Sequence, residues 1–81
     1  MIDRNLVRAV VDLAIFFDQS DDDTVDPDAA VAALEGLATN LQAMPHEVRD
    51  QFKLVLTEIA PSYAANTEFV EEFAKNCGLF D

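Results

Sequence analysis

From position 3 to 17 the apolar residues recur at steps of three and four, so that Ile2, Leu6, Ala9, Val10, Leu13, Ala14 and Phe17 share one side of a helical wheel. Val7, Val11 and Phe16 widen that side past half the circumference. The strip left over carries Arg4, Asn5, Arg8 and Asp12, with Ile15 intruding on it. The pattern predicts an amphipathic helix capped by Asp3, its broad apolar side buried at the centre of the fold. Arg8 and Asp12 stand at the i,i+4 spacing of a weak surface ion pair.

Prolines at 27, 45 and 61 divide the rest of the chain into helix-length pieces. Asp26 reads as an N-cap, with Pro27 in the first helical position and Asp28 in the first turn, where the positive helix end favours an acid. From Pro27 to about Met44, residues Ala30, Val31, Leu34, Leu37, Ala38, Leu41 and Met44 form the inward stripe. On the opposite side Ala29, Ala32, Ala33, Gly36 and Ala43 are small enough to let another helix approach closely. Pro45 opens a third helix to about Ala60, with Val48, Phe52, Val55, Leu56 and Ile59 inward and Leu54 on the polar side. After Pro61 a linker at 62–65 leads to Asn66 or Thr67, the cap of a last helix that buries Phe69, Val70, Phe73, Ala74 and Cys77. Gly78 supplies the left-handed position that ends it, and Leu79 folds back as the accompanying apolar contact. Strict apolar–polar alternation is absent. The expectation is an all-α protein, a small four-helix bundle forming a single compact domain over residues 1–81.

Composition narrows the class. Of 81 residues, 51% are hydrophobic and 26% charged, the balance of a chain that folds around one core and not of a disordered acidic tail. Sixteen Asp and Glu against five Lys and Arg give a formal charge of -11, which repels nucleic acid and anionic membranes alike. One cysteine and one histidine supply neither an internal disulfide nor a four-ligand zinc site, so stability must come from packing. The apolar beginning is interrupted by Asp3, Arg4, Arg8 and Asp12, and its longest unbroken run, Leu13 to Phe17, is too short for an export signal or a membrane span. A cytoplasmic protein with no nucleic-acid or membrane partner is expected.

Residue chemistry points away from catalysis. Were Asp18 the first position of an EF-hand loop, Ser20 and Asp22 would take the next ligand positions, but Asp23 stands where the sharp turn needs glycine and Ala29 where the bidentate glutamate belongs. No metal site is assigned. Ser20, Thr24, Ser62 and Thr67 have no histidine beside them in sequence, and His46 lies in the first turn of its own helix. Cys77 reads as a buried small hydrophobe and the phenylalanines as core. Acyl carrier proteins are also short, acidic and helical, but their Asp-Ser-Leu motif has no counterpart, because Ser20 sits in Gln-Ser-Asp with six residues between it and Pro27. No enzyme and no cofactor are expected.

What remains is surface. From Asp12 to Glu47 there are nine acidic residues and no lysine or arginine. A field of one sign speeds the capture of a basic partner and repels acidic ones. Asp18, Asp21, Asp22, Asp23, Asp26 and Asp28 are the candidate contacts to a basic protein partner, with Leu54 and Tyr63 as apolar or amphipathic anchors. The expected role is that of an acidic binding module that occludes a basic surface, as an immunity, antidote or inhibitor protein does. In general character the chain is similar to the small acidic immunity proteins that bacteria pair with nuclease toxins; no residue motif of that family is present, so no functional residue is carried over. The alternatives are a homo-oligomer, for instance a homodimer, built on the helix faces, and a divalent-metal-responsive module at the acidic loop.

Overall fold

The computed structural model describes residues 2–80. They form α1 (Arg4–Gln19), α2 (Pro27–Gln42), α3 (His46–Ile59), a 3-10 segment (Ala60–Asn66) and α4 (Thr67–Asn76). No strand occurs among the described residues, so the protein is all-helical. Between α3 and α4 there is no open linker. Residues 62–65 are wound into the 3-10 segment, and the chain therefore runs as three helical stretches, 4–19, 27–42 and 46–76. The break in the third lies at Ala64, whose backbone is non-helical (φ 50°, ψ −115°).

Side-chain caps form at Asp3 and Asp26, whereas Asn66 at the start of α4 makes no side-chain cap bond. Asp3 accepts from the backbone N–H of Asn5 at 2.7 Å and of Leu6 at 3.1 Å, and Asp26 accepts from that of Ala29 at 3.0 Å. Each satisfies N–H groups that a helix start leaves unpaired. At the other end of the fold Gly78 adopts φ 74°. The Leu79 N–H donates to the Ala74 carbonyl at 2.9 Å and the Gly78 N–H to that of Lys75 at 3.1 Å. These two bonds make a Schellman ending for α4, and Leu79 folds back until it is only 2% exposed.

One core holds the helices together. Val7, Val11 and Ala14 enter it from α1, Leu41 from α2, Phe52, Leu56 and Ile59 from α3, and Val70, Phe73 and Ala74 from α4, with Ala60, Cys77 and Leu79 completing it. The Phe52 and Phe73 rings lie 6.3 Å apart and tilted, within the range of favourable aromatic pairs. At the C-terminal end of α2, Gln42 Nε2 donates to the Cys77 carbonyl at 2.7 Å, tying that helix to the end of α4.

The rotation of α1 differs from the expectation. Leu6 and Leu13 are 59% and 57% exposed, and Phe16 is exposed as well, whereas the polar strip is drawn against the third helical stretch. Arg4 pairs with Glu58, Arg8 Nη1 donates to Ser62 Oγ at 3.2 Å, the Tyr63 hydroxyl donates to Asp12 Oδ1 at 2.8 Å, and Gln19 Nε2 donates to Asn66 Oδ1 at 2.6 Å. Arg8 and Asp12 thus bind the 3-10 segment instead of each other. The physical reason is that the buried stripe lies at the edge of the apolar arc, next to the polar strip. Two valines and an alanine are short enough for a close approach there, and the longer polar side chains reach across beside them. On α2, Val31 is also exposed, and a Cβ added at Gly36 would meet nothing within 4 Å. Ala29, Ala32, Gly36 and Ala43 of the small-residue side are exposed.

Two glycine-related positions test this backbone with opposite signs. Ala64→Gly relieves a conformation that glycine adopts freely and is expected to stabilise the protein by about 1 kcal/mol, raising Tm by about 4–8 °C. In Gly78→Ala the new Cβ would sit 2.8 Å from Gln42 Nε2 at a positive φ. A loss of about 1 kcal/mol or more is expected for that variant, both shifts being read by thermal unfolding.

Candidate functional site

The acidic loop between α1 and α2 is shaped by a few of its own residues. Ser20 closes α1 by donating its hydroxyl to the Phe16 carbonyl at 2.5 Å. A turn follows, in which the Asp21 carbonyl accepts from the N–H groups of Thr24 at 3.1 Å and Val25 at 3.0 Å. The Asp21 carboxylate also accepts from the Thr24 N–H at 2.9 Å. Hydrogen bonding by Thr24, through its side chain first and its backbone second, holds the Asp21 carboxyl below its ordinary value. Asp26 is occupied as the cap of α2.

The other four aspartates hold nothing in place. Asp18, Asp22, Asp23 and Asp28 are exposed, and the ion pairs Arg4–Glu58 and Lys53–Asp50 and the His46–Asp50 contact lie elsewhere among the described residues. Asp18 stands in the last turn of α1, which has no basic residue; an acid at that end opposes the helix dipole. Between the loop and α2 lies a cleft of ≈ 240 Å³ lined by Phe17, Val25, Pro27, Ala30, Val31 and Leu34, with Asp18, Ser20 and Asp22 also on its wall. The cleft is thus apolar along Phe17, Val31 and Leu34 and polar at its edge, where the carboxylates stand.

Leu54 and Tyr63 do not join this site. Leu54 is 66% exposed and stands beside a groove lined by Ile2, Asp3, Arg4, Gln51, Val55 and Glu58. That places it at the N-terminal end of α1, a helix about 24 Å long, with the acidic loop at the other end. Tyr63 is half-buried and packed against the core. Its phenol is committed to Asp12 and its ring to the Arg8 guanidinium, 5.9 Å from the centroid. Burial, then the bond to Asp12 and its charge, raise the phenol above its ordinary value. The structure therefore groups the aspartates alone and adds Phe17, Val25 and Val31 to them. Sequence reasoning missed these three because the steps that place Phe17 and Val31 on inward stripes say nothing about which end of a stripe stays uncovered.

The remaining chemical groups are dispersed. Cys77 is buried, and burial pushes its thiol up to about 11. His46 is exposed, with Nε2 3.3 Å from Asp50. Among the described residues no three His, Cys, Asp or Glu side chains gather closely enough to hold a metal ion, and no helix is long and apolar enough to cross a membrane. Compared with known proteins, the chain matches no family model, no curated protein and no solved structure.

Tyr63 is the only tyrosine and there is no tryptophan, so its ionisation can be followed by phenolate absorbance. It is expected to titrate above 10, and Asp12→Asn is expected to lower the value without restoring it fully, since burial is the larger cause. The sign follows from linkage: a raised folded-state value gives stability that is complete below the unfolded value of 10 and lost as the pH rises through the folded one. The Asp21 carboxyl, held below 3.8, acts oppositely: its contribution is present above that value and lost as the pH falls. In a carboxyl NMR titration Thr24→Val is expected to move Asp21 back up toward 3.8.

Proposed function

We propose that this protein is a small acidic binding module that occludes a basic surface on another protein, as an inhibitor or antidote protein does. The observation that carries it is the cleft beside the acidic loop, an apolar trough flanked by Asp18 and Asp22 in a region of nine acids and no internal cation. A lysine or arginine of the partner would lay its stem along Phe17, Val31 and Leu34 and present its head to Asp18 and Asp22. Asp23 and Asp28 extend the field, so steering acts before contact and raises the association rate, while the apolar trough sets the residence time. Asp21 and Asp26 contribute charge, but their first task is to shape the loop. Leu54, at the far end of α1, serves a separate contact, and Tyr63 acts by positioning α1. On this account the four helical segments work as one small cytoplasmic bundle over residues 1–81, with no catalytic role and no cofactor.

Asp18→Asn, Asp22→Asn and Asp23→Asn together remove charge where none supports the fold. Affinity capture from the native lysate with the wild type is expected to retain basic proteins at low salt and to release them as salt rises. The triple variant is expected to associate with the purified captured protein at least about tenfold more slowly. Val31→Lys, at an exposed site, supplies the cation from within and should block the same partner. Capture that is unchanged by both variants would contradict the proposal.

A further inference from the structure

We propose that a second copy of this chain docks antiparallel on the outward face of α1, covering Leu6, Ala9, Leu13 and Phe16. This face is apolar and no element of the chain covers it; Leu6 and Leu13 keep more than half their surface in water.

The spacing of the face suits its own copy. Leu6, Ala9, Leu13 and Phe16 are separated by three, four and three residues, a pattern symmetric about Val11. Running a second α1 in the opposite direction, with the two-fold at the axial level of the core residue Val11, sets Leu6 level with Phe16 of the copy and Ala9 level with Leu13 of the copy. Ala9 then meets Leu13 of the copy, a small side chain against a large one, and Leu6 meets Phe16 of the copy as an apolar pair.

Charge selects both the occupant and its direction. α1 carries Arg4 and Arg8 against Asp12 and Asp18, so it is balanced, whereas α2, α3 and α4 each carry more acids than bases. A basic partner gains no attraction here, and a second copy meets its least repulsion. Along one edge of the face Arg8 and Asp12 are held by Ser62 and Tyr63. The two-fold brings Arg8 within two residues, about 3 Å along the axis, of being level with Asp12 of the copy, and reciprocally. In the antiparallel arrangement the two Asp18 residues lie about 21 Å apart along the axis, beyond the Debye length of about 8 Å at physiological salt. A parallel pair would set the acidic loops side by side. The docking leaves both loop clefts open, and it stands or falls independently of the basic-partner proposal.

Sedimentation equilibrium of the full chain at micromolar concentration and physiological salt tests it, with circular dichroism as the check on folding. The wild type is expected to be a dimer. Leu13→Asp, and separately Leu6→Asn, are expected to give helical monomers, while Leu54→Asp leaves the dimer intact. Ala9→Lys is expected to weaken the dimer at least about tenfold, and Ala9→Lys with Leu13→Asp to restore it, because Ala9 is level with Leu13 of the copy. A wild-type monomer would overturn the proposal, as would a dimer indifferent to Leu13→Asp and Leu6→Asn. Failure of Ala9→Lys with Leu13→Asp to restore a dimer broken by Ala9→Lys would overturn the antiparallel register.

Discussion

Four contacts along one edge of α1, from Arg4–Glu58 through Arg8–Ser62 and Asp12–Tyr63 to Gln19–Asn66, fix which way that helix faces. The rest of the surface follows from that setting. Each contact is exposed and is worth about 0.5–1.5 kcal/mol at most, so none decides the matter alone. They act together with Val7, Val11 and Ala14, which are completely buried beside them. Turning α1 by roughly a third of a turn would bury Leu6 and Leu13, but it would expose the two valines and strip the half-buried Tyr63 phenol of its carboxylate. Leaving large apolar groups in water is the cost of keeping the seam and the core together. A cost of that kind is recovered when another molecule covers the face.

The legible part of the fold was local. Asp3, Asp26 with Pro27, and Gly78 with Leu79 act through neighbours in sequence, and each does what its residue type dictates. The inward stripes of α3 and α4 were equally readable, because Phe52, Leu56, Ile59, Val70 and Phe73 stand on narrow arcs with little choice of direction. α1 was not readable in this way. With apolar residues around more than half its circumference, the wheel defines an arc but not the part of it that meets the core, and contacts to residues some fifty positions away decide it. The same holds for residues 62–65: proline and small residues suggest a linker, yet Tyr63 has a tertiary partner in Asp12 that keeps the segment wound.

The candidate site divides along similar lines. That the aspartates of the acidic loop stand together was evident from their adjacency. That two of them are structural, and that Phe17, Val25 and Val31 lie beside the others as an apolar trough, required the path of the chain between α1 and α2. Leu54 and Tyr63, chosen for being apolar or amphipathic among polar neighbours, lie away from the loop for different reasons, Leu54 by distance and Tyr63 because it packs inward. An apolar face in the middle of α1 and an acidic cleft at its C-terminal end give the molecule two surfaces of unlike chemistry, the first proposed to take a second copy and the second a basic partner.

Both surfaces depend on the rotation of α1, and the sole tyrosine reports on it. Nuclear Overhauser contacts from the Tyr63 ring protons, measured on the wild-type protein, distinguish the two settings directly. Contacts to the side-chain protons of Arg8 and Asp12, with none to Leu6 or Leu13, are the expected result. Contacts from that ring to Leu13 or Phe16 in place of Arg8 would show the apolar stripe turned toward the 3-10 segment, and the account of both surfaces would be wrong.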